Sequence, residues 1–373
     1  MDLFLLVFIF LSKGLLLLNA KEEVCCPDVD CYSVEAPWYS SSRPVPNPRC
    51  ITDVEYLLIT RYNPNTPFNV TAENMSLDGS HFNASKPTFF YFHGWVGSAN
   101  NKVLYEIAPA YLVSVDANVF VVDFSSVSIN VNYLQSVSDI RVTATVVAKF
   151  INYLISEKGV SKKQVHLMGL SLGGQLVGYI GKLVPGLRRI TGIDPAGPMF
   201  NDFDCAIRLC KGDAEFVEAI QTNKHYVWGL GTYRDDYDVS FLVNGGYDQP
   251  GCAYFMDDRE IQHFMSGTFT PIQDAPYSLI CHHLKALYYY VEALANPNCT
   301  FWGVKADTFK RVVSQLTFGY GTSYVVDSNG CDFPTCLPMG IETINYPGAS
   351  GAYIVPTNTK APYCISAPSK SGR

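Results

Sequence analysis

The sequence predicts an α/β fold with a mainly parallel central sheet and helices on both faces. Short runs of β-branched and aromatic residues alternate with stretches of helical periodicity, and this alternation is typical of parallel sheets covered by helices. The run 118–124 is also almost continuously apolar, as expected of a strand that is buried on both faces.

The predicted elements follow one another in a regular order. Strands are expected from β-branched and aromatic composition, and helices from apolar residues three or four apart. In chain order we predict strands at 53–61 and 88–92, a helix at 102–113, a strand at 118–124, a helix at 134–156, a strand at 165–170, a helix at 172–183, a strand at 189–193 and a helix at 283–294. A cysteine-rich arm (21–50) precedes them, and a cystine-rich tail follows Cys299. We expect one α/β domain over residues 21–373.

The N-terminus predicts a signal peptide over residues 1–20. Residues 3–18 are almost wholly apolar, and Ala20 precedes a charged run, which is the pattern of a cleaved secretory signal. Asp2 stands where a basic residue is usual. A membrane anchor is the alternative, but the unbroken apolar run is shorter than the roughly 20 residues that span a bilayer. We therefore expect secretion without a transmembrane anchor.

Composition agrees with an extracellular protein. Twelve cysteines all follow Ala20, and this number suits an oxidising compartment. N-glycosylation sequons begin at Asn69, Asn74, Asn83 and Asn298. A formal net charge of −7 with few charge runs argues against a nucleic-acid partner.

The candidate nucleophile is Ser171. A predicted strand runs into Gly169-Leu170-Ser171-Leu172-Gly173, and a helix begins at once. This is the context of the Gly-x-Ser-x-Gly nucleophile elbow of α/β-hydrolase folds, in which the glycines let strand and helix pass closely. The positive end of the helix would favour negative charge that develops at the site. The alternative is a serine in a purely structural glycine turn.

A nucleophilic serine needs an imidazole base and an orienting acid, and in this fold class the acid and then the histidine follow the serine along the chain. Asp194 ends the next predicted strand and is the candidate acid. Asp123 also ends a strand but precedes Ser171. His282 and His283 lie immediately before a predicted helix, and the residue pattern alone does not separate these neighbours as the base.

The loop after the strand 88–92 is the candidate oxyanion loop. It contains His93-Gly94-Trp95, and a backbone N–H of this loop would form an oxyanion hole with the N–H of Leu172. Gly94 permits close approach. We expect His93 to support the loop by hydrogen bonding rather than to act in catalysis.

These motifs together resemble the pancreatic lipase family of neutral lipases. The resemblance runs from about Val24 to Gly340 and includes Phe-His-Gly-Trp at 92–95, Val-His-Leu-Met-Gly-Leu-Ser-Leu-Gly-Gly at 165–174, Ile-Thr-Gly-Ile-Asp-Pro-Ala-Gly-Pro at 190–198 and Cys-His-His-Leu-Lys at 281–285. It implies an α/β-hydrolase fold that cleaves lipid esters.

The resemblance also implies roles for individual residues. Ser171 would be the nucleophile, Asp194 the acid and His283 the base. Trp95 and Leu172 would donate the two hydrogen bonds of the oxyanion hole.

The sequence departs from the family at the calcium loop. The family carries acidic ligands around an Arg-Leu pair, whereas Arg208-Leu209 here is flanked by Cys205 and Cys210. Calcium takes at least about 6 oxygen ligands, which Asp213 alone cannot supply. We expect a Cys205–Cys210 cystine, no metal site and no cofactor. The chain also stops about where the family's C-terminal β-sandwich domain would begin, so we expect neither that domain nor a colipase-type partner.

The segment about 253–280 is the candidate lid. A disulfide between Cys252 and Cys281 would hold its ends while the middle moves; the alternative is an ordinary surface loop. In the resembled family, long lids accompany triacylglycerol hydrolysis and short ones phospholipase A1 activity, so the length favours a triacylglycerol lipase acting at an apolar interface. A phospholipase A1 and a non-catalytic lipid-binding or yolk-type storage protein are the alternatives.

The remaining cysteines are only partly assigned by the sequence. We expect a Cys331–Cys336 disulfide and a bond from Cys31 to either Cys25 or Cys26. Cys50, Cys299, Cys364 and one of the first pair stay unassigned.

Overall fold

The computed structural model describes residues 23–99, 105–226, 229–252, 277–307 and 333–365. In these ranges the strands are β1 (Glu23–Cys26), β2 (Asp30–Ser33), β3 (Glu55–Ile59), β4 (Phe68–Thr71), β5 (Thr88–Phe92), β6 (Asn118–Asp123), β7 (Val165–Leu170), β8 (Arg189–Ile193), β9 (Val217–Gln221), β10 (Val239–Val243), β11 (Phe301–Lys305), β12 (Cys336–Met339) and β13 (Gly351–Val355). The helices are α1 (Ile107–Ser114), α2 (Ser125–Ser128), α3 (Tyr133–Ser156), α4 (Leu172–Leu183) and α5 (Tyr277–Ala295). Short 3₁₀ turns lie at Lys162–Gln164, Asn244–Gly246 and Ile341–Asn345.

Strands β3 to β13 form a single sheet that is parallel in its middle. The strand order is β12-β11-β13-β10-β9-β8-β7-β5-β6-β3-β4, and β1 pairs with β2 in a separate hairpin. The seven strands from β13 to β6 are parallel, while β3, β4, β11 and β12 are antiparallel edge strands. The fold is that of the α/β hydrolases, as the sequence predicts.

Two apolar cores cover the two faces of the sheet. Helices α3 and α4 pack together on one face, where Phe150 and Leu176 contact the same cluster as Leu167 of β7. Helices α1 and α5 pack on the other face, and Met168 of β7 belongs to that second core. Successive side chains of a strand point to opposite faces, so a central strand must be apolar throughout, as β7 is.

Helix α5 begins earlier than the sequence pattern indicates. The predicted helix 283–294 is in fact Tyr277–Ala295, so His282 and His283 lie within a helix rather than before one. Residues 277–280, which the prediction placed in the lid, therefore belong to α5. The first turns were missed because the residues before Cys281 were assigned to the lid segment.

Several predictions fall on residues outside the described ranges. These are the signal peptide 1–20, the lid segment 253–276 and Cys331. No helix in the described part of the chain has the length and apolarity needed to cross a membrane.

Disulfides tie the loops to this framework. The described pairs are Cys25–Cys31, Cys26–Cys50, Cys205–Cys210, Cys252–Cys281 and Cys299–Cys364, and Cys336 is also disulfide-bonded. The choice between the two neighbouring cysteines is thus resolved, since Cys31 bonds Cys25. The N-terminal hairpin packs on α3, where the Tyr32 hydroxyl donates to Thr145 Oγ1 at 3.0 Å.

Candidate active site

Ser171 occupies a sharp turn between β7 and α4. Its backbone has φ 55° and ψ −117°, a region that non-glycine residues enter only at a cost of about 1–3 kcal/mol. The turn needs glycine on both sides. A Cβ on Gly169 would lie 2.0 Å from the Gly173 oxygen, and a Cβ on Gly173 would lie 2.4 Å from the His93 oxygen. The glycines of the predicted elbow are therefore required by backbone contacts.

The turn lies at a switch point of the sheet, where successive strands are added on opposite sides of β5. From β5 the chain continues to β6 on one side, whereas β7 pairs with β5 on the other side. The loops that follow β5 and β7 therefore diverge, and in open parallel sheets such a switch point is where ligands bind. Ser171 follows β7, and the predicted oxyanion loop follows β5.

Asp194 and His283 form a buried hydrogen-bonded pair. Asp194 follows β8, the strand next to β7, and its side chain is fully buried. The His283 Nδ1 and Asp194 Oδ2 atoms are 2.6 Å apart, so an ionised Asp194 accepts the Nδ1 proton and leaves Nε2 with its lone pair. A base in this tautomer suits proton abstraction from a serine hydroxyl.

Three residues that the sequence did not single out hold the Asp194 carboxylate. The backbone N–H groups of Thr222 and Asn223 donate to Asp194 Oδ1 at 2.9 and 3.3 Å. Gly231 packs on the same carboxylate, because a Cβ there would lie 2.4 Å from Oδ1. The one feature of the sequence that could have indicated Thr222 and Asn223 as supports of Asp194 is their position, because they follow β9, which pairs with β8.

The structure separates the two adjacent histidines. Neighbouring residues on a helix point about 100° apart, and His283 alone contacts Asp194. The Nδ1 atom of His282 accepts the Gln249 N–H at 2.7 Å, and its Nε2 lies 3.7 Å from Asp248. Asp248 Oδ1 is 3.0 Å from His225 Nε2. His282 thus belongs to a separate polar cluster beside the Asp194–His283 pair.

The loop after β5 lies directly against Ser171. A Cβ on Gly94 would be 3.0 Å from the Ser171 Cβ and 3.6 Å from its Oγ. The Trp95 indole donates to the Asn130 oxygen at 2.8 Å, and the Val96 N–H donates to the Ser128 oxygen at 2.8 Å. These bonds attach the loop to the turn after α2. Leu172 is the first residue of α4, and its N–H is one of those that the helix itself leaves unpaired.

His93 is a buried support of this loop, in the position where the sequence suggested that role. Its ring stacks on Phe124 with centroids 4.2 Å apart. The Phe124 N–H donates to Nε2 at 3.3 Å, and Nδ1 lies 3.1 Å from the Gly94 oxygen.

Asp123 also supports this loop, through hydrogen bonds from backbone N–H groups. Its carboxylate accepts the backbone N–H groups of Ala99 at 2.9 Å and Ser125 at 2.7 Å. Burial by itself raises the pKa of Asp123, but contacts with His93 and Ser125 outweigh this and hold the pKa well below its usual value. Asp123 is therefore charged at neutral pH, and its hydrogen bonds connect the loop after β5, through Ala99, to the start of α2 at Ser125.

The asparagines of the four predicted sequons lie at the surface. Asn69, Asn74, Asn83 and Asn298 are all exposed.

Among the described residues, one group of potential metal ligands, Glu23, Cys25 and Cys31, lies close together. The two cysteines form a disulfide, so neither offers the thiolate that binds metals.

The family relationship follows from a match over nearly the whole chain. The family model described as Lipase matches residues 22–363. The chain belongs to the lipase family. The resemblance predicted from the motifs is thereby confirmed.

Curated relatives of this lipase-family chain include both active and inactive proteins. It is 30% identical over 320 residues to a pancreatic triacylglycerol lipase of Myocastor coypus, covering 84% of this chain and 67% of that protein. It is 29% identical over 303 residues to the inactive pancreatic lipase-related protein 1 of Homo sapiens, covering 78% and 63%. Family membership thus supports a lipid-ester hydrolase and leaves its activity to be tested.

Among solved structures, Est1E from Butyrivibrio proteoclasticus matches with a TM-score of 0.27 and 10% sequence identity, covering 47% of this chain and 50% of that chain.

Proposed function

We propose that this protein is a secreted serine ester hydrolase that acts on lipids, with triacylglycerol as its principal substrate. The observation that carries the proposal is the 2.6 Å contact between His283 Nδ1 and the buried Asp194 carboxylate, beside a strained serine on the adjoining strand. This combination supplies a base, its orienting acid and a nucleophile in the chain order of the α/β hydrolases.

The proposed reaction passes through an acyl-enzyme. Ser171 Oγ attacks the ester carbonyl while His283 Nε2 takes the hydroxyl proton, and the N–H groups of Trp95 and Leu172 stabilise the oxyanion. The tetrahedral intermediate expels the alcohol, which receives the proton from His283. Water then attacks the acyl-enzyme with His283 again as base, releasing the fatty acid and restoring the Ser171 hydroxyl. Asp194 stabilises the imidazolium in both steps.

Secretion is supported by independent features. The described disulfides and exposed sequons suit an oxidising compartment. The apolar N-terminal segment has the pattern of a cleaved signal. An apolar interface as the site of action follows from the substrate class.

The test compares the protein with its Ser171→Ala variant on emulsions of triacylglycerol and of phosphatidylcholine. We expect hydrolysis of triacylglycerol to exceed that of phosphatidylcholine, and we expect the variant to lose about 10⁴-fold or more in kcat with an unchanged unfolding temperature. A fluorophosphonate probe should label the native protein at Ser171.

Each other outcome has a defined meaning. Preferential release of a fatty acid from phosphatidylcholine would replace the substrate assignment by a phospholipase A1. Failure of the probe to label Ser171, with no hydrolysis of either emulsion, would point to a non-catalytic lipid-binding or storage protein. Undiminished hydrolysis by the variant would refute the nucleophile.

A further inference from the structure

Lys182, in the last turn of α4, makes three contacts with oxygen atoms. Its Nζ lies 2.7 Å from Asp213 Oδ2, 2.9 Å from the Arg208 carbonyl oxygen and 3.3 Å from the Gly178 carbonyl oxygen. An ammonium group has three N–H donors and no acceptor, so these oxygens match all of its donors. The Lys182 side chain is 27% exposed and that of Asp213 is 7% exposed.

The oxygens belong to the segment 208–213, here called the anchor loop, and to α4 itself. The Cys205–Cys210 disulfide closes this region, and Asp213 Oδ2 also accepts the Cys210 N–H at 2.9 Å. The anchor loop lies against the α4 backbone. A Cβ on Gly178 would be 2.7 Å from the Leu209 Cα, and one on Gly181 would be 2.3 Å from the Asp213 oxygen.

The anchor loop does not fit a calcium ion. Calcium would need at least about 6 oxygen ligands. The two oxygens that the anchor loop directs to one point, from Asp213 and Arg208, are both within hydrogen-bond distance of the Lys182 ammonium. The nearby Asp236 carboxylate instead binds the Arg208 guanidinium at 2.7 Å. A positive charge of the chain itself thus occupies the position to which these oxygens point.

We propose that Lys182 is a built-in cation that replaces the calcium ion of the resembled family and fastens the anchor loop to α4. Helix α4 begins at Leu172, directly after Ser171. Lys182 is accordingly a positioning residue: its ammonium fixes the far end of the helix whose first N–H serves the oxyanion hole. The kinetic part of this inference rests on the proposed hydrolase function.

The pair is a stable one only as long as both members are present. Burial lowers the pKa of the Lys182 ammonium and raises that of the Asp213 carboxyl, so each charge depends on the other. Removing Lys182 leaves the buried Asp213 charge without compensation, which is destabilising. This is the physical basis of the test.

The test uses the whole protein and its Lys182→Ala variant, with Lys211→Ala as the matched control. Lys211 lies in the same loop, is 65% exposed and pairs with Asp238 at 2.9 Å. We expect native activity on a soluble ester to be unchanged by a calcium chelator and by added calcium. We expect Lys182→Ala to lower kcat about tenfold or more with little change in KM, because small misplacements of catalytic groups cost up to about 10²-fold. The control should behave as the native protein.

Chemical rescue distinguishes a missing charge from a missing side chain. Propylammonium replaces the atoms removed in Lys182→Ala, whereas calcium lacks in the anchor loop the oxygen ligands that it needs. Propylammonium should raise the unfolding temperature and the kcat of Lys182→Ala, whereas calcium should raise neither. Neither ion should affect the native protein or Lys211→Ala. Lys182→Met, which fills the space without a charge, should show the defect without rescue by propylammonium.

Four results would overturn the proposal. They are loss of native activity in chelator with recovery in calcium, native kcat in Lys182→Ala, a defect in Lys182→Ala that propylammonium does not reverse, and full activity in Lys182→Met. The unfolding temperatures are independent of catalysis. If no variant has activity but the temperatures respond to the ions as expected, the proposed function fails and the built-in cation stands.

Discussion

At the scale of single residues, the Asp194 carboxylate is the most constrained group of the site. It accepts two backbone N–H groups on one oxygen and the His283 ring N–H on the other, and it packs so closely on Gly231 that a side chain at position 231 would not fit. Its backbone φ of 40° is itself unusual for a residue with a side chain. Such constraint fixes the imidazole orientation, which is what a general base requires.

Replacing Asp194 by asparagine should lower kcat about 10⁴-fold. The amide would keep an oxygen for the Thr222 and Asn223 N–H groups but present its NH₂ to His283 Nδ1. The ring would then carry its proton on Nε2 and could not accept one from serine. Steady-state kinetics on a soluble ester measure the loss.

Asp248→Asn is the control for that variant. Asp248 also contacts histidines, His225 and His282, and is 8% exposed, but it lies outside the Asp194–His283 pair. A loss in Asp248→Asn comparable to that in Asp194→Asn would contradict the assignment of the acid.

At the scale of elements, the contact between α4 and the end of β5 aligns the two segments that are proposed to supply the oxyanion donors. Gly173 of α4 touches the backbone oxygens of Phe92 and His93. A side chain at position 173 would therefore push the nucleophile helix away from the loop that carries Gly94 and Trp95.

Gly173→Ala should lower kcat by up to about 10²-fold through this displacement. It should also lower the free energy of unfolding by about 1–3 kcal/mol, the usual cost of overpacking. Rates of fluorophosphonate labelling and urea unfolding curves measure the two effects. Leu183→Ala, at the exposed end of the same helix, should change the labelling rate little; an equal fall in both variants would rule out the steric explanation.

The sequence predicts the proposed catalytic residues better than the residues that hold them in place. Ser171 and Asp194 follow from strand ends and chain order, because parallel strands put their carboxyl ends at one edge. His283 is distinguishable from His282 only through the resemblance, since both follow Cys281. The supports from Thr222, Asn223 and Lys182 could not be predicted, because they use backbone N–H groups or contacts between residues far apart in the chain.

At the scale of the whole molecule, one edge of the sheet collects the functional groups. The loops after β5, β7 and β8 leave neighbouring strands at the same edge, and α5 brings His283 to them from the second face. Asp123, at the end of β6, accepts hydrogen bonds from backbone N–H groups of Ala99 and Ser125 at this edge.

Asp123 should make stability depend on pH in a defined direction. Its pKa is depressed in the folded protein, so the stabilisation is present above the unfolded-state pKa of about 3.9 and is lost as the pH falls below it. Asp123→Asn should cost about 1.5–3 kcal/mol at pH 7, as expected for hydrogen bonds to a charged group, and progressively less below about pH 4.

Urea unfolding between pH 3 and pH 7, a range that spans the ordinary carboxyl pKa of about 4, measures this difference. Asp116→Asn, which removes an exposed ion pair with Lys86, is the control and should cost at most about 1 kcal/mol throughout. A constant difference between native protein and Asp123→Asn across that range would contradict the proposed linkage.

The Cys252–Cys281 disulfide has a consequence for how this protein can be altered. The Cα atoms of the two cysteines are 5.7 Å apart, and of the 28 residues between them the last four, 277–280, belong to α5. His283 lies two residues beyond the second anchor. We expect that a stretch of different length or composition can replace residues 253–276 without repositioning His283, because the disulfide and α5 hold the chain on either side. On the proposed function, insertions or deletions in this segment would change the substrate preference and leave the chemistry at Ser171 unchanged.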